Sequence, residues 1–225
     1  MGQTGAGEFI EWDVRNWSAA LEFWSRNSLL GFADRSVLEI GSGGGGISLW
    51  MALQGADVTC SDARGPRPEA VRRHERFGVQ DRITYAQVDV ADLPYVEQFD
   101  IVVFKSVLGA LRDRDRQAVA VAEMHKSLRP GGELLFAENL VGSALHAYLR
   151  RTFVGWGASW RYVSMGELHE FLSPFSRVRT RTGGVLGALG RAEWQRNALG
   201  TLDKAGLERL VPSAWRYIAL GVATK

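Results

Sequence analysis

The sequence predicts an α/β fold, a doubly wound and mostly parallel sheet with helices on both faces, and three observations carry that expectation. From Ser36 to Ala137, short apolar runs alternate with segments of helical periodicity. A glycine-rich turn, Gly41-Ser42-Gly43-Gly44-Gly45-Gly46, separates the first run from the first of those helices. The run Asp100-Ile101-Val102-Val103-Phe104 is apolar enough to lie in the middle of a sheet covered on both faces. Alternation of this kind places ligands at the C-terminal edge of the strands.

Composition bounds the rest. A chain of 225 residues, 46% hydrophobic and 23% charged, is long enough for one large domain with a real core. Its 27 basic and 25 acidic residues leave +2, without the basic excess of a dedicated nucleic-acid binder. The single cysteine, Cys60, excludes an internal disulfide and a Cys-only metal cluster, and its apolar context predicts a buried, inert thiol. No His, Asp and Glu cluster has metal-ligand spacing, so no metal is expected. The opening residues lack a signal-peptide layout and no apolar run reaches about 20 residues, which predicts a cytoplasmic chain with no membrane partner.

Taken in order, Trp17, Leu21 and Trp24 recur at helical spacing, with Ser18 or Asn16 as candidate caps. Residues 1–33 therefore read as an N-terminal helix packed on the core or as a lid carrying Trp12 or Trp17 over a site. Val37-Leu38-Glu39-Ile40 is a first strand, and Ile47 to Leu53 a helix ending at Gly55. Asp57 to Ser61 is a second strand that stops at Asp62, completing a βαβ unit. A polar helix over Arg67 to Phe77, a third strand over Ile83 to Val88 and a helix over Arg116 to Leu128 follow. Arg129-Pro130-Gly131-Gly132 then breaks the chain before a fifth strand, Glu133 to Ala137. Beyond Asn139 the spacing predicts helices over 144–153 and 166–172, an edge strand over 176–182 and a closing strand over 216–223. Segments 139–175 and 183–215 are the candidates for a cap over the site or, for 183–215, a homodimer contact. No linker or repeat divides the chain, so residues 1–225 read as a single domain.

The turn presents bare backbone N–H groups to a ligand. Gly41, Gly43 and Gly46 also satisfy the dinucleotide fingerprint, so the turn alone leaves a nicotinamide cofactor and other adenosyl cofactors open. Glu39, just before it, repels a pyrophosphate and suits a cofactor carrying an ammonium and a sulfonium. Asp62 ends the second strand, where an acid accepts both hydroxyls of an adenosine ribose.

Val37 to Gly45 resembles motif I of the class I S-adenosylmethionine (SAM)-dependent methyltransferases, and Asp62 matches their ribose-binding acid. Gln87 to Pro94, Phe99 to Val103 and Leu128 to Gly132 resemble, in family order, the adenine-lining stretch, the motif around the fourth strand and the turn before the fifth. The resemblance implies a seven-stranded sheet whose last strand is antiparallel and inserted between strands five and six. It implies that Glu39, Gly41, Ser42, Gly43 and Gly45 hold the methionine part of SAM. By the same resemblance Asp62 holds the ribose, and Ala63, Asp89 and the Val90 backbone meet the adenine. Lys105 and Ser106 fall where the family contacts the amino-acid end. The chain departs from the family at Lys105 to Leu111, where many relatives carry a histidine. It also lacks the Asn/Asp-Pro-Pro-Tyr signature, which speaks against a nucleic-acid substrate.

SAM is already activated, so the protein has to align the reactants, exclude water and sometimes supply a base. Asn139, His146 and Tyr162 are the catalytic candidates, with His146 as a base. Trp12, Trp17, Arg150, Trp156 and Trp160 are the substrate-facing candidates, the arginine as a clamp for an acidic acceptor. Each has a plainer reading: a structural histidine, a solvated helix face, core tryptophans. The expected function is methyl transfer to a small molecule such as a natural product, sugar or amino-acid-like acceptor. Two alternatives stay open. One is SAM cyclisation to a cyclic amino acid plus methylthioadenosine, favoured by the aromatic excess, and the other a nicotinamide-dependent reductase.

Overall fold

A computed structural model describes residues 5–153 and 160–225. Strands β1 (Ser36–Ile40), β2 (Asp57–Asp62), β3 (Ile83–Gln87), β4 (Phe99–Lys105), β5 (Leu128–Asn139), β6 (Arg177–Gly183) and β7 (Ile218–Thr224) form one sheet in the order β3-β2-β1-β4-β5-β7-β6. β7 runs antiparallel to both its neighbours and lies between them, with Ile218 opposite Asn139 and Gly183. This is the sheet that the alternation and the resemblance predict. Its crossovers include α3 (Gly46–Ala52), α4 (Pro68–Arg76) and α5 (Arg114–Ser127).

Local chemistry explains the element ends. Pro68 opens α4, where a missing N–H costs nothing. Asp113 caps α5 by accepting from Arg116 N at 2.9 Å. β1 and β4 are buried on both faces, and Leu38 lies beside Val102 with neither exposed. One sheet face packs Trp17, Trp24, Met51 and Leu135, the other Leu38, Met124, Phe136 and Leu168. Cys60 is buried, and burial pushes its thiol up to about 12.

Most boundaries fall within a residue or two of expectation, and two differ in kind. β5 begins at Leu128, which pairs with Phe99 ahead of a register shift, so the Pro-Gly turn is a bulge within the strand. The first helical region is two pieces, α1 (Val14–Trp17) and α2 (Ala19–Asn27), meeting at Ser18. Neither Ser18 nor Asn16 makes a side-chain cap: the Asn16 amide is spent on Asp13, Asp203 and Tyr217. The N-terminus of α1 is instead closed from the far end of the chain, where Glu193 accepts from Asp13 N and Val14 N at 2.9 and 2.8 Å. The later helices include α6 (Ala144–Phe153), α7 (Met165–Phe171), α8 (Glu193–Leu202) and α9 (Glu208–Leu210). No described helix is long and apolar enough to cross a membrane.

Candidate active site

At the C-terminal ends of β1 and β4 the glycine turn bends sharply, with Gly41, Gly43 and Gly45 at φ of 67, 54 and 75°. A side chain at Gly45 would meet the His74 ring and Ala70. The bend is tied to β2: Ser42 N donates to Ser61 O at 2.9 Å and Gly43 N to Asp62 Oδ2 at 3.3 Å. Asp62 therefore stands directly beside the turn.

The turn forms one wall of a cleft of about 400 Å³. Glu39, Lys105 and Ser106 come up from the strand ends. The N-terminal segment contributes Phe9, Glu11 and Trp12, and the later half of the chain contributes Trp160 and Arg196. Glu39 is buried, and its Oε2 accepts from Ser48 N at 2.9 Å and from the Ser48 hydroxyl. Burial pushes Glu39 up to about 8, and the Ser48 hydrogen bonds act the other way. A cation docked against it would favour its ionised form. The Lys105 ammonium lies 5.2 Å from the Trp12 ring centre and 5.3 Å from that of Trp17. Burial lowers the Lys105 pKa, against the pull of Glu11, Glu39, Glu138 and Asp13.

The structure brings together Glu39, Gly41, Ser42, Gly43, Lys105, Ser106, Trp12 and Trp160. Asn139 joins them through Ser106: its amide donates to the Ser106 hydroxyl at 2.6 Å. Gly45 lies behind the turn, with its carbonyl 2.9 Å from His74 Nε2. Ala63 is exposed beside Asp62, where its carbonyl accepts from the Gln87 amide at 3.2 Å, and Val90 is buried in the core under β4. Trp156 lies outside the described residues.

Other candidates sit elsewhere. Trp17 is fully buried behind Trp12, so it packs the core and does not wall the cleft. Arg150 is fully buried too: it donates to the Leu140 and Val141 carbonyls and stacks 3.7 Å over the Tyr162 ring, which leaves no clamp for an acceptor. Tyr162 is thereby held under Arg150 rather than in the cleft lining. His146 stacks on Tyr217 and lines a different cavity, so it is not placed as a base for the cleft. Asp89 accepts from Ala91 N within its own turn, pairs with Arg116 at 3.2 Å at the surface, and is not among the residues lining the cleft.

Sequence reasoning missed Glu11, Glu138 and Arg196. Glu138 is buried behind the cleft and accepts from Val107 N, Leu108 N and Asn139 N, each at 2.8 Å. An acid closing the apolar run Leu134 to Ala137 was its only local signal. Glu11 and Arg196 reach the cleft through tertiary packing that no periodicity encodes. Among the described residues, no group of three His, Cys, Asp or Glu side chains could hold a metal ion.

A family model described as a methyltransferase domain matches residues 37–132, the stretch that builds the turn, β2 and β4. Over that stretch the chain is similar to a methyltransferase domain. Ubiquinone biosynthesis O-methyltransferase of Pseudomonas syringae pv. tomato is 34% identical over 107 residues, 47% of this chain and 44% of that protein. The chain thus matches less than half the length of that relative. Among solved structures, phosphoethanolamine N-methyltransferase 2 of Haemonchus contortus in complex with SAM superposes with a TM-score of 0.67 at 17% identity, over 93% of this chain and 52% of that one. The [4+2]-cyclase SpnF superposes at 0.61 and 18% identity, over 91% and 78%. At these identities the two structures speak to the fold.

The cleft's outer wall is fastened by a buried polar clasp. Tyr217 donates its hydroxyl to Asp13, and Asn16 donates to Asp203 at 3.0 Å. Asp203 in turn accepts from the backbone N–H groups of Val185, Leu186 and Gly187. Burial pushes Asp13 up to about 7 from an ordinary 3.8, with the Tyr217 hydrogen bond opposing and Glu193 and Asp203 adding repulsion. The folded state therefore keeps a proton that the unfolded chain has lost, and stability falls as pH rises through that window. Glu39 (about 8) and Glu138 (about 7) act in the same direction. His74 and His146, buried and lowered from 6.5, act oppositely on the acid side. Between pH 6.5 and 8 the acids dominate, and the melting temperature is expected to fall. Asp13→Asn removes one contribution, worth at most about 1.4 kcal/mol per pH unit, and is expected to flatten the melting-temperature profile between pH 4 and 7. A profile parallel to that of the wild type would refute the buried, protonated Asp13.

Proposed function

We propose that this chain transfers the methyl group of SAM to a small-molecule acceptor. The observation that carries the reading is the buried Glu39 carboxylate at the floor of the cleft, beside a glycine bend whose next neighbour is Asp62. An ammonium docked there would draw Glu39 into its ionised form and pair with it, whereas a pyrophosphate finds no such partner, so the turn fits SAM better than a nicotinamide dinucleotide. The bend fits a ligand as well: a Cβ at Gly43 would have only the Glu11 carboxylate near it, at 3.3 Å, so a ligand can approach the backbone itself.

In this reading Glu39 and the backbone of Gly41 and Gly43 hold the methionine part, Asp62 the ribose and Ala63 the adenine side, with Lys105 and Ser106 at the amino-acid end. The bound cofactor supplies a methyl group on a sulfonium, ready for displacement. The chain's task is alignment and exclusion of water. Trp12 and Trp160 wall the cleft, and Asn139 fixes the Ser106 hydroxyl at its edge. A cleft of about 400 Å³ beneath an N-terminal segment suits a small acceptor. The relative from Pseudomonas syringae, described as an O-methyltransferase, and the Haemonchus contortus enzyme, described as an N-methyltransferase, are consistent with that class.

The test is to incubate the purified chain with methyl-labelled SAM and a panel of phenols, amines and carboxylic acids, and to quantify the nucleoside products. Label in an acceptor with matching S-adenosylhomocysteine is expected. Methylthioadenosine formed from SAM alone, with no label in any acceptor, would contradict methyl transfer.

A further inference from the structure

A second chamber, of about 620 Å³, opens at the same edge of the sheet and shares no lining residue with the cleft. Val185, Leu186 and Leu189, which follow β6, make one wall, and Leu207, Val211 and Trp215, which precede β7, make another. Among the described residues, no charged side chain lines it. The polar group at its base is His146, 6% exposed, whose ring lies flat on Tyr217 with centroids 5.2 Å apart. The Ser143 hydroxyl, at the chamber's edge, accepts from His146 N at 3.1 Å. Neither ring nitrogen of His146 meets full hydrogen-bond geometry, and the Val185 backbone makes only a weak contact with the ring, leaving a nitrogen open to accept. Burial, followed by the Arg150 guanidinium, pushes His146 down to about 3, with the Val185 backbone acting the other way, so the ring is neutral at pH 7 and keeps one accepting nitrogen.

An apolar chamber is ordinary, and so is a buried histidine that is hydrogen-bonded. An apolar chamber whose one lining imidazole lacks a full hydrogen-bond partner is a site missing its ligand's donor. We propose that this chamber binds a neutral, ring-sized apolar molecule bearing a single O–H donor, such as a phenol, whose hydroxyl His146 accepts. The apolar walls bury the ring, and the lack of any lining counter-charge excludes acids and ammonium ions. An occupant rests against His146 and so against Tyr217, whose hydroxyl holds Asp13 in the clasp. This inference does not depend on the methyltransferase reading.

The test uses three probes of one shape, 1-naphthol, 1-methylnaphthalene and 1-naphthoate, titrated at pH 7 by ligand-observed NMR with and without saturating S-adenosylhomocysteine. The wild type is expected to bind 1-naphthol about tenfold or more tighter than 1-methylnaphthalene, to reject 1-naphthoate, and to do so unaffected by the nucleoside. His146→Phe is expected to erase the preference for the hydroxyl. Ala214→Phe, which fills the chamber from an exposed wall position, is expected to lose both neutral probes while keeping S-adenosylhomocysteine affinity. Failure of 1-naphthol to bind, no preference for 1-naphthol over 1-methylnaphthalene in the wild type, a hydroxyl preference undiminished in His146→Phe, or displacement by the nucleoside would each overturn the proposal.

Discussion

Glu138→Ala is expected to lower the free energy of unfolding by about 3 kcal/mol or more, the range in which a buried charged hydrogen-bonding network is lost. The carboxylate is fully buried and takes three backbone N–H groups, those of Val107, Leu108 and Asn139. Alanine leaves all three donors in the interior without an acceptor. Two of them begin the turn that follows Ser106 and carries Gly109, and a side chain at Gly109 would run into the Trp160 indole. The damage is therefore expected to reach the cleft, with weaker S-adenosylhomocysteine binding accompanying the loss of stability. Glu138→Gln keeps one accepting oxygen and is expected to cost less. Urea denaturation of the three proteins measures the difference. A loss below about 1 kcal/mol in the alanine variant would mean that these donors find other partners.

Gly46→Ala is expected to weaken S-adenosylhomocysteine binding at least tenfold and to destabilise the fold by about 1–3 kcal/mol, the ordinary cost of overpacking. Gly46 opens α3 exactly where the N-terminal segment crosses it. A Cβ there would collide with the Phe9 carbonyl oxygen and stand 2.8 Å from its carbon, and both are backbone atoms that move only if the segment moves. That segment carries Glu11 and Trp12 into the cleft. Gly44→Ala is the control. Its Cβ would meet the end of the Glu11 side chain, which can swing aside toward solvent, so a much smaller effect is expected. Equal effects from the two substitutions, measured by calorimetry and thermal denaturation, would show that the N-terminal segment does not form the cleft wall.

Much of this was legible in the sequence because it is encoded locally. The glycine bend, the acids Glu39 and Asp62 at strand ends, and the Pro130-Gly131-Gly132 break are all set by a few neighbouring residues, and the sheet follows from their spacing. The periodicity of Trp17, Leu21 and Trp24 identified a helix face correctly, but periodicity reports which face is apolar and not what that face covers. Trp17 covers the core, and Trp12, off that face, reaches the cleft. Arg150 read as a charged clamp because burial of a guanidinium is rare; here two backbone carbonyls and the Tyr162 ring compensate it. The clasp between Asp13 and Glu193 joins residues 180 positions apart, and nothing local announces such a pair.

The central claim is that the acid-flanked bend between β1 and α3 seats the adenosyl cofactor. Isothermal titration of S-adenosylhomocysteine into the wild type and into Asp62→Ala tests it most directly. Saturable one-site binding is expected for the wild type, with affinity at least several-fold weaker for Asp62→Ala. No heat with the wild type, or identical affinities in the two proteins, would contradict the account.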